Sequence, residues 1–208
     1  MSARYPYEEK SSRVYAIVRC GGRQEKASVD DVLTVDKLAG EVGSTVTLPA
    51  LLIVDDGKVV IDSMEIVRYL EERFPDAPPL YPNDPARRAD CLVFIDWFNR
   101  VWKRPPNEIA AELEKPEAEH DLKRVERLGR AMQGYLDLFE QMLTGREYLL
   151  GELSAADVAA FPFVKYATIH DPNDPHLFHK ILVEYQKPGD SHPRVVGWIA
   201  RLNRRPRV

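Results

Sequence analysis

Apolar positions in the first 75 residues come in short runs separated by glycine or acidic residues. Residues 12 to 20, SRVYAIVRC, place Val14, Ile17 and Val18 on one helical face, and Gly21-Gly22 follows. That pattern predicts a short helix with a glycine stop. Residues 50 to 61, ALLIVDDGKVVI, are two apolar runs around Asp56-Gly57. This dipeptide tolerates the positive φ of a tight turn, so a β-hairpin is predicted. SMEIVRYLEERF then carries Ile66, Val67, Leu70 and Phe74 at helical spacing, with Ser63 in the N-cap position. The reading is strand, strand, helix.

The pattern changes at PDAPPLYPNDP, where five prolines from Pro75 to Pro85 forbid a continuous helix or ladder. This stretch reads as a linker. Beyond it the apolar spacing is helical throughout, at roughly 86 to 113, 119 to 144, 154 to 169, 176 to 186 and 193 to 203. The expected organisation is an α/β domain at residues 1–77 and an all-α domain at residues 86–208.

Composition narrows the function classes. The 29 basic and 33 acidic side chains give a net charge of -4, which offers no overall field for a polyanion, so nucleic acid is not an expected partner. Cys20 and Cys91 lie far apart and outside any CxxC spacing, which points away from a disulfide framework, a zinc knuckle or a dithiol redox site. No apolar run approaches the ~18 residues that a membrane helix needs, and the N-terminus MSARYPYEEKSSR lacks the apolar core of a signal peptide. A soluble, cytoplasmic protein without a membrane partner is expected.

Two local arrangements carry candidate chemistry. Thr47-Leu48-Pro49-Ala50-Leu51 sets a proline at the entrance of a strand. A cis bond there would turn the backbone of Leu48 outward to pair with the backbone of a peptide ligand; an ordinary edge-strand proline is the plainer alternative. Asp62-Ser63 opens a helix, where unpaired N–H groups and the dipole favour a carboxylate. Ser63 adds a hydroxyl donor and Asp62 can face an ammonium group, so the pair could read an amino-acid head group; helix capping alone also explains it.

The run TLPALLIVDDGKVVIDSMEIVRYLEERFPDAPPLYP resembles the signature stretch of glutathione S-transferases. Tyr148-Leu149-Leu150-Gly151 followed by Leu153-Ser154-Ala155-Ala156-Asp157 resembles that family's C-terminal capping segment, and His192-Pro193 through Trp198 to Pro206 resembles its last helix. The resemblance implies a thioredoxin-like glutathione-binding domain followed by a helical domain. It also implies glutathione as co-substrate, a small, apolar electrophile as second substrate, and a homodimer. Glutathione would lie on Leu48, Pro49, Asp62 and Ser63. Ser154 and Asp157 form a capping-box variant whose role is folding.

One departure bears on catalysis. Glu8 falls where serine- and cysteine-type members keep the thiol-activating residue, and a carboxylate accepts hydrogen bonds where a hydroxyl would donate. Ser11, at the start of the expected first helix, is the first choice as replacement, with Tyr5 and Tyr7 as further hydroxyl donors. The rival reading is a non-catalytic binding or regulatory module of the same fold. His170, His176 and His179 with Asp171 and Asp174 could in principle hold a metal, but they lack the spacing of known zinc sites, so no metal is expected. Phe94, Trp97, Phe98 and Trp102 could line an apolar pocket or simply form core.

Overall fold

A computed structural model describes residues 14–20, 23–35, 43–46, 48, 50–55 and 57–205. The chain divides into two compact units, one running to Ala77 and the other from Pro78 onward. The fold class is the expected one, an α/β half followed by an all-α half.

The first unit contains β1 (Tyr15–Cys20), β2 (Arg23–Ala27), β3 (Ala50–Asp55), β4 (Lys58–Ile61) and α1 (Ser63–Arg73). The strands form one sheet in the order β2-β1-β3-β4, and every neighbouring pair is antiparallel. β1 replaces the helix expected at residues 12 to 20. Its burial alternates at the end, with Val18 and Cys20 inside and Arg19 outside, which is period two rather than 3.6. Cys20 pairs with Arg23, so only two residues separate β1 from β2. A parallel βαβ crossover needs a dozen residues or more, and two leave room for a hairpin alone.

The β3–β4 hairpin stands where the sequence predicts it, with Asp55 opposite Lys58 and Gly57 at φ 78°. That left-handed angle suits glycine, which has no Cβ to clash. α1 covers one face of the sheet through a small core of Ile53, Val60 and Ile66, with Ala16 and Tyr69 packed beside it. Asp55 pins the helix down. Its carboxylate accepts from the Tyr69 hydroxyl at 2.5 Å and from Arg73 Nε at 3.1 Å.

The second unit holds α2 (Pro85–Trp97), α3 (Arg104–Leu113), α4 (Leu122–Met142), α5 (Ala155–Val164), α6 (Leu177–Tyr185) and α7 (Pro193–Asn203). The single helix expected over 86 to 113 is broken by a π-helical turn, Phe98–Trp102, in which Lys103 N–H reaches Phe98 O. Pro105 and Pro106 follow at once and cannot donate to a ladder, so the helix has to restart there. α5 is the central helix, buried through Ala155, Ala156, Ala159, Ala160 and Val164. Phe98, Trp102, Phe139 and Trp198 close the core around it.

Two carboxylates organise this helical unit. Asp157 is fully buried and accepts from Leu149 N and Ser154 N at 3.0 Å, from Ser154 Oγ at 3.2 Å and from Trp198 Nε1 at 2.8 Å. The capping box expected from Ser154 and Asp157 therefore also anchors the last helix. Glu140 on α4 accepts from Arg194 N at 3.0 Å and Val195 N at 2.9 Å, capping α7 from outside.

Candidate functional site

The first unit presents its chemistry where β4 turns into α1. Asp62 has φ 79° and ψ 128°, a conformation that a residue with a Cβ adopts at a cost of about 1–3 kcal/mol. Its side chain offsets part of that cost by capping the helix. Oδ1 accepts from Met64 N at 2.9 Å and from Glu65 N at 3.4 Å, while Asp62 O accepts from Ile66 N at 2.9 Å. The N-cap is thus Asp62 and not Ser63, which the sequence pattern favours. Ser63 becomes the first helical residue and is exposed. Met64 and Ile66 are buried and fix the start of the helix against the sheet.

This arrangement combines an exposed hydroxyl, a helix N-terminus and a carboxylate held in a strained backbone. The N–H groups of Met64, Glu65 and Ile66 are taken by Asp62 itself, so the exposed Ser63 is what suits an incoming carboxylate, and the Asp62 carboxylate suits an ammonium. Behind the site, Tyr69 and Arg73 bind Asp55, and the Tyr69 hydrogen bond, followed by the Arg73 contacts, holds the Asp55 carboxyl below its usual range. The sequence pattern did not single out Asp55, although Tyr69 and Arg73 stand four residues apart on one helix face, which is the available signal.

Of the other expected site residues, only Leu48 falls among the described ones. Leu48 is half-buried, while Pro49, and with it the Leu48–Pro49 bond expected to be cis, lies outside the described residues. So do Ser11, Glu8, Tyr5 and Tyr7. Of the helix that Ser11 was expected to open, residues Tyr15–Cys20 form strand β1.

In the helical unit, Phe94, Phe98 and Trp102 are core residues, and Phe98 stacks on Trp102 with ring centroids 4.5 Å apart. Trp97 alone of the four is half-exposed, edge-on to Tyr135. The histidine cluster is a loop clasp. His179 Nδ1 lies 2.6 Å from Asp174 Oδ2, Tyr166 stacks on the imidazole, and Asp174 also accepts from His176 N. That backbone bond, with His179 next, lowers the Asp174 carboxyl. Among the described residues no group of three ligand-type side chains is arranged to hold a metal ion. Cys20 and Cys91 are both buried, and burial pushes the Cys91 thiol up, away from the reactive thiolate. No helix among the described residues is long and apolar enough to cross a membrane.

Comparison with known proteins divides the chain. The family model for the glutathione S-transferase C-terminal domain matches residues 101–206, and that for the ribosomal prokaryotic L21 protein matches residues 14–69. The large ribosomal subunit protein bL21 of Thermobifida fusca is 61% identical over 56 residues, 27% of this chain and 54% of that protein. Its counterpart in Kocuria rhizophila is 70% identical over 50 residues, 24% of this chain and 48% of its own. The chain thus spans about half the length of these curated relatives. Among solved structures, the theta class glutathione S-transferase of Xanthomonas axonopodis pv. citri with glutathione bound matches with TM-score 0.56 and 27% identity over 74% of each chain. A glutathione S-transferase from Rhodospirillum rubrum matches with TM-score 0.54 and 25% identity over 74% of this chain and 66% of its own. The stretch TLPALLIVDDGKVVIDS, read from the sequence as transferase-like, lies inside the L21-like segment.

Proposed function

We propose that this chain, which belongs to the glutathione S-transferase superfamily, binds glutathione at Asp62-Ser63 and acts as a binding module rather than as a conjugating enzyme. The observation that carries the binding half is the strained Asp62, φ 79°, holding a helix start with Ser63 exposed beside it. Non-glycine residues in such conformations concentrate at ligand clamps, because the surrounding structure has to pay for them. In this reading the α-carboxylate of the ligand's glutamyl end takes the Ser63 hydroxyl and N–H, and the α-ammonium faces Asp62. The glutathione-bound relative from Xanthomonas supports the choice of ligand.

The module half rests on β1 and β2. Strand β1 stands at Tyr15–Cys20, within the stretch where a helix was expected, and the L21-like segment covers that same region. The conjugating alternative keeps Ser11 as the group that activates the thiol, Leu48 and Pro49 as backbone partners, and a small apolar electrophile held by the helical unit. Cytoplasmic location belongs to both readings. One experiment separates them: glutathione affinity by calorimetry, run beside thiol transfer to a small aromatic electrophile. Binding without turnover, unchanged in Ser11→Ala, is expected. Turnover that falls in Ser11→Ala while affinity holds would establish the enzyme. Absence of binding, in a chain shown to be folded, would remove both.

A further inference from the structure

The segment from His170 to His179 holds itself in shape and borders a cavity. After α5 the chain makes a short helical turn, Lys165–Ala167, before the loop that leads into α6. Asp171 Oδ1 accepts from Asn173 N at 2.9 Å and Asp171 O from Asp174 N at 3.1 Å, while Asp174 takes His176 N and the His179 ring. A cavity of about 300 Å³ is lined by Tyr166, by His170 and Asp171 of the loop, and by His179, Lys180 and Val183 of α6. That volume is at the lower end for small-molecule sites, enough for one ring with its substituents. The lining residues all belong to the second unit.

Three of these side chains keep a polar group free of hydrogen bonds to the described residues. Asp174 is held ionised and can only accept, so the ring hydrogen of His179 stands on Nδ1 and the neutral imidazole keeps its lone pair on Nε2. Tyr166 stacks on that imidazole, centroids 4.6 Å apart, and burial, with Asp174 second, pushes its phenol up, which keeps the hydroxyl a donor. Lys180 is exposed and has no ion pair among the described residues, whereas Glu184 in the same lining is matched by Lys187 at 2.7 Å. The cavity thus offers a cation, a phenol donor and a lone pair backed by a carboxylate.

We propose that this cavity binds a small planar carboxylate that also carries a hydroxyl, of the hydroxybenzoate kind. The carboxylate takes Lys180 and the Tyr166 hydroxyl, the ligand's own hydroxyl donates to His179 Nε2, and its ring lies on Val183. A lone pair backed by Asp174 accepts a hydroxyl and repels an oxyanion, so the two ends of the ligand cannot exchange places. Asp171 and Glu184 in the lining oppose a doubly charged anion such as phosphate, which leaves a ligand of one negative charge.

The site is independent of Asp62-Ser63, and its test uses the full chain. Calorimetric titration with para-hydroxybenzoate should show saturable binding with a dissociation constant on the order of 0.1–1 mM, and saturating glutathione should not displace it. Benzoate, which lacks the hydroxyl, and para-hydroxybenzyl alcohol, which lacks the carboxylate, should each bind about fivefold more weakly or worse. Lys180→Met and Tyr166→Phe remove polar groups that hold nothing in the protein, so the fold is kept, and each should weaken para-hydroxybenzoate about fivefold. Lys180→Met should leave the alcohol unaffected. Nitrogen NMR of the unmodified chain supplies a readout that needs no variant: the His179 Nε2 resonance should move with para-hydroxybenzoate and stay in place with benzoate. Absence of saturable binding, equal affinity for the three probes, affinity indifferent to both substitutions, displacement by glutathione, or a His179 resonance that does not respond would each overturn the proposal.

Discussion

Substitution of Asp62 by glycine and by alanine separates the folding role of this residue from its binding role. Alanine keeps the Cβ, and with it the cost of φ 79°, while removing the carboxylate that caps Met64 and Glu65. Loss of an N-cap side chain to alanine costs about 0.5–2 kcal/mol, and nothing in the variant compensates. Glycine also removes the cap, but it releases backbone strain of about 1–3 kcal/mol and is itself an acceptable N-cap residue, only a few tenths of a kcal/mol below aspartate. Against this stands the greater freedom of glycine in the unfolded chain, about 0.5–1 kcal/mol. The sum places Asp62→Gly between neutral and about 2 kcal/mol more stable than the parent, and Asp62→Ala about 0.5–2 kcal/mol less stable. Urea unfolding followed by a probe in the first unit reads the difference. Both variants should lose glutathione affinity together, because both lack the group facing the ammonium. If Asp62→Gly were as unstable as Asp62→Ala, the strain argument would be wrong. If Asp62→Gly bound glutathione normally, Asp62 would have no part in the site.

Four further outcomes follow from the same geometry. Ser63→Ala should weaken glutathione binding by about 1 kcal/mol, close to fivefold in calorimetry, with little change in the unfolding midpoint. Asp157→Ala leaves four donors around a buried cavity without an acceptor, and thermal unfolding of the helical unit should show a loss of about 3 kcal/mol or more. Gly129→Ala would bring a Cβ to 2.3 Å from Tyr185 Cδ1 and 3.2 Å from Cγ. The gain in helix propensity of up to about 1 kcal/mol is outweighed by overpacking of about 1–3 kcal/mol, so a net loss is expected, and it should shrink when Tyr185 is also truncated to alanine. Glu112 accepts from Asp121 N, Lys115 and Arg124, which hold its carboxyl below the usual glutamate range. A depressed carboxyl contributes stability above its unfolded pKa and loses it as pH falls through the folded value. Acid titration should therefore destabilise the parent from about pH 4.5 downward, and Glu112→Gln should flatten that limb.

The helical unit was the most legible part of the chain. Ser154 caps α5 as its sequence predicts, and the helix starts expected at about 86, 119, 176 and 193 fall within a few residues of Pro85, Leu122, Leu177 and Pro193. The break at Phe98–Trp102 was not legible, because a π-helical turn has no side-chain signature, although Pro105-Pro106 gave a hint one turn later. β1 was misread because Val14, Ile17 and Val18 satisfy a helical spacing over a run too short to distinguish periods, and Gly21-Gly22 serves as a helix stop or a hairpin signal equally well. At the site, the order Asp62-Ser63 announces a helix start but not which residue caps it. That choice depends on the angle at which β4 enters α1, and hence on Ile53, Val60 and Ile66 packing behind it. Glu112, Glu140 and Gly129 act through residues up to 56 positions away, beyond the reach of any local pattern.

The capping of α7 by Glu140 sets an order on biosynthesis. The carboxylate sits on α4, but its donors, Arg194 and Val195, leave the ribosome more than fifty residues later. Until they arrive, a nascent α4 that packed as it does in the finished fold would enclose a charge with no amide to receive it. The helical unit is therefore expected to close only after its C-terminal helix is made, and a chain shortened ahead of residue 193 should be handled by the cell as unfinished rather than as a smaller domain.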